Sequence, residues 1–197
     1  EVAHGWAALK RGDPTAAMLG RLTLNPVPHI DPMGVFIFVL TSLTGPFVFG
    51  WAKPVPINPR NFRDVVKDTM LVSFAGPATN FLLAAVFAIL LRLLLMFFPI
   101  AEWQGSTFWD FFFLMFQTGI GVNISLAWLN LMPIPPLDGS KILWGILPGR
   151  IGYEYMQLER YGFILLILLL ATGLLGRILY PLINGTANVL ISLIVLS

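Results

Sequence analysis

Residues 69–91 read TMLVSFAGPATNFLLAAVFAILL, a run with no charged side chain that stops at Arg92. A helix needs roughly 20 predominantly apolar residues to cross a bilayer, so this run predicts a transmembrane span, with Arg92 able to snorkel to the interface. Towards the C-terminus, residues 111–137 are uncharged as well and hold FFFLMFQTGIGVNISLAWLNLM before Pro133, Pro135 and Pro136. Proline lacks an N–H and clashes with the preceding turn, so the second span ends there. From Tyr161 to Ser197 the chain is apolar but interrupted by Arg177, Pro181 and Asn184-Gly185. That pattern predicts one further span followed by a broken or partial one.

Composition carries the same message. The 197 residues are 57% hydrophobic and 11% charged, with a mean hydropathy of +0.81, whereas soluble domains carry about 25% charged residues. Too few polar side chains exist to coat a water-facing globule, so the lipid bilayer is the expected surrounding. The net charge of +2, from 12 Lys and Arg against 10 Asp and Glu, is too small and scattered for a nucleic-acid surface, and no nucleic-acid partner is expected. No cysteine is present, which excludes disulfides, thiolate ligands and cysteine nucleophiles. Any metal must be held by His, Asp or Glu.

Residues 32–52 are uncharged but contain Pro32, Gly34, Gly45, Pro46 and Gly50, a poor composition for one continuous helix. Basic residues gather in 53–68 (Lys53, Arg60, Arg63, Lys67) and in 139–160 (Lys141, Arg150, Arg160), while 99–110 has Glu102 and Asp110 and no Lys or Arg. The positive-inside rule makes the first two segments cytoplasmic and the third not. Lys10, Arg11 and Arg21 make the early segment basic too, so a full crossing by 32–52 would put one basic loop on the wrong side. The expected fold is therefore an all-α polytopic membrane protein: a transmembrane helix bundle with a short irregular or β-hairpin re-entrant segment. Non-helical backbone at membrane depth implies a cavity. With no repeat or long linker, residues 1–197 are expected to form a single membrane-embedded domain.

Ionisable groups inside a membrane protein are functional candidates. Glu1 and His4 in EVAHG lie on neighbouring helix faces and can address one bound atom; by themselves they fit an interfacial helix end, with a capping Glu and a hydrogen-bonded His, better than a site. Asp138 follows the uncharged run in NLMPIPPLDG, where the prolines and Gly139 allow an irregular turn to aim it into the bundle, or where it caps a helix beginning near Ser140. His29, in NPVPHIDP, reads as a hydrogen-bonded residue near the interface. Asn80 and Asn130 lie within or at the end of uncharged runs, where an amide seeks a partner on a neighbouring helix. Trp103 and Phe111 to Phe113 read as an interfacial aromatic belt.

The motifs EVAHGWAALKRGDPTA, GRLTLNPVPHIDPMG, FGWAKPVPINPRNFR, AGPATN at 75–80 and NLMPIPPLDGSK at 130–141 resemble, in order, those of the site-2 proteases, intramembrane zinc metalloproteases. Residues 142–197 match only as generic membrane helix, so 1–141 would form the zinc-site core. The resemblance implies that Glu1 is the catalytic base and that His4 and Asp138 are ligands of Zn²⁺. It also implies that Asn130 bonds the scissile carbonyl or the oxyanion and that Asn80 steadies the substrate backbone. Substrates would be transmembrane proteins, and water would reach the site from the cytoplasmic side. The irregular stretch 22–38 is expected to offer strand-like edges to an unwound substrate. The short 99–110 loop has no room for a PDZ domain, which implies the compact form of the family. The family motif is His-Glu-x-x-His, so its first His belongs before Glu1; with no initiating Met, the sequence reads as truncated inside the motif. The competing classes are a catalytically inactive relative, a non-catalytic membrane binding protein, or a transporter, although no inverted repeat supports the last.

Overall fold

A computed structural model describes residues 1–44, 50–98 and 106–195. Helices α1 (Val2–Lys10), α2 (Thr15–Met18), α3 (Pro32–Thr44), α4 (Val65–Phe97), α5 (Thr107–Leu131), α6 (Asp138–Ile146), α7 (Gly149–Met156), α8 (Glu159–Ala171) and α9 (Leu174–Leu190) follow one another. No strand occurs among the described residues. The architecture is all-α, and α4, α5 and the span Leu174–Val195 are long and apolar enough to cross a membrane. Contacts divide the chain into two compact units, Glu1–Val72 and Ser73–Ser197.

In the first unit, α1 packs on α2 and a small core joins Ala8, Phe62 and Val72. Irregular backbone with short 3₁₀ turns at Val27–His29 and Pro59–Asn61 makes up much of the remainder. The start of α4 is fixed by two carboxylates. Asp64 Oδ1 accepts from the Lys67 N–H and Asp68 Oδ2 accepts from the Asp64 N–H, each at 3.1 Å. These bonds satisfy donors that a helix start leaves open. Asp68 is buried, with Arg11 at 3.7 Å.

The second unit is assembled by close contact. Ala84, Ala88 and Leu91 on α4 meet Ile120 and Ile124 on α5, and the Phe87 ring lies so near Gly119 that a Cβ there would stand 2.8 Å from it. Small residues let apolar helices approach in a lipid environment, where no hydrophobic effect drives them together. Helix α9 packs on α5, joined by a 2.9 Å bond from Trp128 Nε1 to Thr186 Oγ1. Phe98 stacks on Trp109, and Phe108, Phe111 and Phe112 continue that aromatic cluster.

Several sequence expectations change here. The re-entrant segment contains no hairpin among the described residues: 32–44 is helical, because Pro32 takes the first helical position, where its missing N–H is tolerated, and after Gly34 no further breaker occurs before Gly45. At about 1.5 Å per residue α3 is about 20 Å long, short of a roughly 30 Å hydrocarbon core. The strand-like edge expected over 22–38 is not found: no strand occurs there, Val27–His29 is a 3₁₀ turn and Pro32–Thr44 is helical. The C-terminal break falls at Gly173, whose φ of +70° suits glycine, while Arg177, Pro181 and Asn184-Gly185 all lie inside α9. The short helix thus comes first and the long one second. Arg92 does more than snorkel, since its Nη1 donates to the Ile194 carbonyl at 2.9 Å. Residues 45–49, together with Glu102 and Trp103, lie outside the described residues.

Candidate active site

Glu1 immediately precedes α1 and His4 lies in its first turn. Nδ1 of His4 is 2.8 Å from the Val72 carbonyl oxygen. A carbonyl only accepts, so Nδ1 carries a proton, and in the neutral imidazole Nε2 then carries the ring's lone pair. Metal-ligating imidazoles use this arrangement, in which a backbone oxygen fixes the tautomer and turns the ring. The donor chemistry at this helix therefore suits a zinc ion.

The carboxylate of Glu1 is anchored from another direction. Its Oε2 accepts the Val55 N–H at 2.8 Å, and no described residue hydrogen-bonds its Oε1. Val55 is buried and lies against Gly5, where an added Cβ would come within 2.8 Å of Val55 Cγ1 and 2.6 Å of Leu22 Cδ2. Glycine at position 5 is thus required for close approach of the 53–57 segment to α1.

That segment has further anchors that sequence reading missed. Arg21, counted there as a loop cation, is 9% exposed, and its Nη2 donates to the carbonyls of Lys53 and Pro54 at 2.9 and 3.1 Å. Asp13 is fully buried. Its carboxylate accepts from the Asn58 N–H and Asn61 Nδ2, both at 2.7 Å, from the Thr15 N–H at 3.1 Å, and from the Thr15 hydroxyl. Burial by itself would raise the Asp13 pKa, but the bonds from Thr15, Asn58 and Asn61 outweigh it and leave the carboxyl below its ordinary 3.8. The available signal was the pairing of GDPTA with KPVPINPRN, two polar segments that no periodicity rule connects.

His29 lies in the 3₁₀ turn, with Nε2 at 3.0 Å from the Thr23 carbonyl and Nδ1 buried. It is a hydrogen-bonded residue of this turn, and its N–H is committed to Thr23.

The other predicted residues belong to the second unit. Asp138 is the first residue of α6 and half-buried, where the helix dipole favours a carboxylate. The helix begins at Asp138 itself rather than near Ser140. Gly139 behind it serves close approach and not a left-handed turn, since an added Cβ would lie 2.2 Å from the Leu131 oxygen and 2.5 Å from the Met132 oxygen. Asn80 on α4 and Asn130 on α5 are half-buried, and among the described residues neither carboxamide is tied to a neighbouring helix. Asn123 differs, donating to the Gly119 carbonyl of its own helix at 2.8 Å. Among the described residues no three His, Asp or Glu side chains gather as a metal-ligating group.

The comparison with known proteins bears on this set. YwhC of Bacillus subtilis, whose name assigns it by inference to the zinc metalloproteases, is 37% identical over 193 residues, covering 98% of this chain and 84% of the relative. The chain belongs to the YwhC family of metalloproteases. The Rip2 protein of Mycolicibacterium smegmatis, assigned in the same way, is 28% identical over 205 residues, 98% of this chain and 72% of its own length. MJ0611 of Methanocaldococcus jannaschii, likewise named, shares 42% identity over 99 residues, 49% of this chain and 45% of its own. No family model and no solved structure matches. Within the YwhC family, the orientation of His4 and the anchored Glu1 are the features from which chemistry can be argued.

Proposed function

We propose that this protein is an intramembrane zinc endopeptidase of the site-2 protease type, hydrolysing peptide bonds in or near the transmembrane segments of other membrane proteins. The observation that carries the reading is the double anchoring on one helix: a carbonyl orients the His4 imidazole while a backbone N–H holds one oxygen of Glu1. His4 and Asp138 would hold Zn²⁺, with the imidazole that the motif places before Glu1 as third protein ligand. When bound, zinc supplies a Lewis acid that brings the pKa of water down to about 7.

Glu1 takes a proton from the attacking water through Oε1 while Oε2 stays on Val55. The C–N bond then breaks, and Glu1 returns that proton to the departing amine. The carboxamides of Asn130 and Asn80, which no described residue of a neighbouring helix engages, would bond the developing oxyanion and the substrate backbone. Because an intact helix buries its carbonyls in its own hydrogen bonds, the substrate must unwind before attack. Water entry from the cytoplasmic face is supported by Lys53, Arg60, Arg63 and Lys67 in 53–68, against none in 99–110.

The test is metal analysis of the purified protein, including the position before Glu1, beside cleavage of a transmembrane substrate. About one zinc per chain is expected, with loss of zinc in His4→Ala and Asp138→Ala and loss of cleavage on chelation. A protein that binds no zinc and cuts nothing is the non-catalytic relative instead.

A further inference from the structure

The sequence KPVPI places prolines at 54 and 56, so Val55 has the sole backbone N–H between Lys53 and Ile57. Glu1 Oε2 takes that hydrogen at 2.8 Å. The same peptide group begins at the Pro54 carbonyl, and its oxygen accepts from Arg21 Nη2 at 3.1 Å. The bond is trans, the cis bond among the described residues being Pro135-Pro136.

A trans peptide is planar, with oxygen and hydrogen on opposite sides. Fixing its oxygen therefore fixes the direction of its hydrogen. Arg21 also holds the Lys53 carbonyl at 2.9 Å, and the Lys53 N–H reaches the His29 carbonyl at 2.9 Å. A buried cation thus grips one edge of the peptide plane and an anion the other, each hydrogen bond polarising the group in the sense that strengthens its neighbour.

We propose that Arg21 is a positioning residue for Glu1, acting through the Pro54-Val55 peptide group. The inference rests on the reading of Glu1 as the base. Without the guanidinium the plane can rotate, the Val55 N–H swings away, and the carboxylate loses its direction although every metal ligand remains. Misplacement of a reacting group by about 1 Å costs on the order of 10²-fold in rate.

The experiment compares Arg21→Met, Arg21→Lys and Val55→Pro with the parent protein for zinc content, kcat, KM and amide exchange at Val55. Val55→Pro deletes the N–H and leaves Arg21 in place. Arg21→Met and Val55→Pro should each keep zinc and KM and lose about 10²-fold in kcat. In Arg21→Met the Val55 amide should exchange at least about tenfold faster, since its opening is no longer opposed by a charge-assisted bond. Arg21→Lys, which can still donate to both carbonyls, should recover most of kcat and restore slow exchange. If Arg21→Met fails to fold, Val55→Pro and Arg21→Lys decide. Parental kcat in Val55→Pro, or parental kcat and exchange in Arg21→Met, overturns the inference. Full activity in Glu1→Gln overturns the reading of Glu1 as base, and is distinguished because the Arg21 variants then leave exchange altered but kcat unchanged.

Discussion

The two units bury different things. Within Glu1–Val72 the buried polar residues are Asp13, Arg21 and Asp68, whereas those buried from Ser73 onward are Ser73 and Ser140. Each buried charge in the first unit is met by hydrogen bonds or an ion pair, as desolvation demands. The second unit relies instead on alanines, glycines and aliphatics at short range. Contact suffices to hold helices together in lipid, but a carboxylate and an imidazole must be aimed, and aiming takes directional bonds. Glu1 and His4 accordingly lie in the unit that contains the charged network.

If the first unit depends on its buried carboxylate, Asp13→Ala should have the largest structural effect. The change leaves the donors of Asn58, Asn61 and Thr15 without their acceptor, for a loss of about 3 kcal/mol. Limited proteolysis should then cut within residues 13–61 well before the second unit is attacked. Equal sensitivity in both units would erase the contrast.

Close apposition makes the complementary claim for the second unit. Gly139→Ala sets a Cβ against the Leu131 and Met132 carbonyl oxygens and should cost about 2 kcal/mol or more. Thermal unfolding in detergent measures this, and zinc affinity should fall too if Asp138 is a ligand.

Acid distinguishes the units more gently. The folded-state pKa of Asp13 lies below its ordinary 3.8. Its contribution is therefore fully present above that ordinary value and is lost as pH falls through the folded one. Proteolytic protection of residues 13–61 should decline as the pH is lowered beneath the ordinary carboxylate value of 3.8, with the Asp13→Asn protein lacking that component of the decline. The smallest effect is expected from Trp128→Phe, which removes the bond to Thr186; interhelical bonds of this kind average about 0.6 kcal/mol. A loss several times larger would mean that the second unit also depends on directional bonding.

The apolar periods and proline positions made much of the fold legible. Residues 69–91 fall inside α4, and α5 stops at Leu131 ahead of Pro133. The C-terminal break was misplaced because Pro181 and Arg177 look disruptive in sequence, while the residue that turns the chain is Gly173, with its positive φ. Motif resemblance gave the candidate Glu1, His4, Asp138, Asn80 and Asn130. Their supports were not legible: Val55 is 54 positions from Glu1 and Val72 is 68 from His4, and both contribute backbone atoms, which leave no mark on residue identity. Arg21 read as a loop charge and Asp13 stood out in no pattern, because only tertiary contacts bury them.

The most direct measurement of the central claim is zinc content and transmembrane-substrate cleavage for Glu1→Gln beside the parent protein, each including the position before Glu1. Glutamine keeps the carbonyl oxygen that can accept from Val55 but cannot serve as a base. The account predicts parental zinc and a fall in kcat of at least about 10²-fold. Cleavage at the parental rate by Glu1→Gln, with zinc bound, would contradict it.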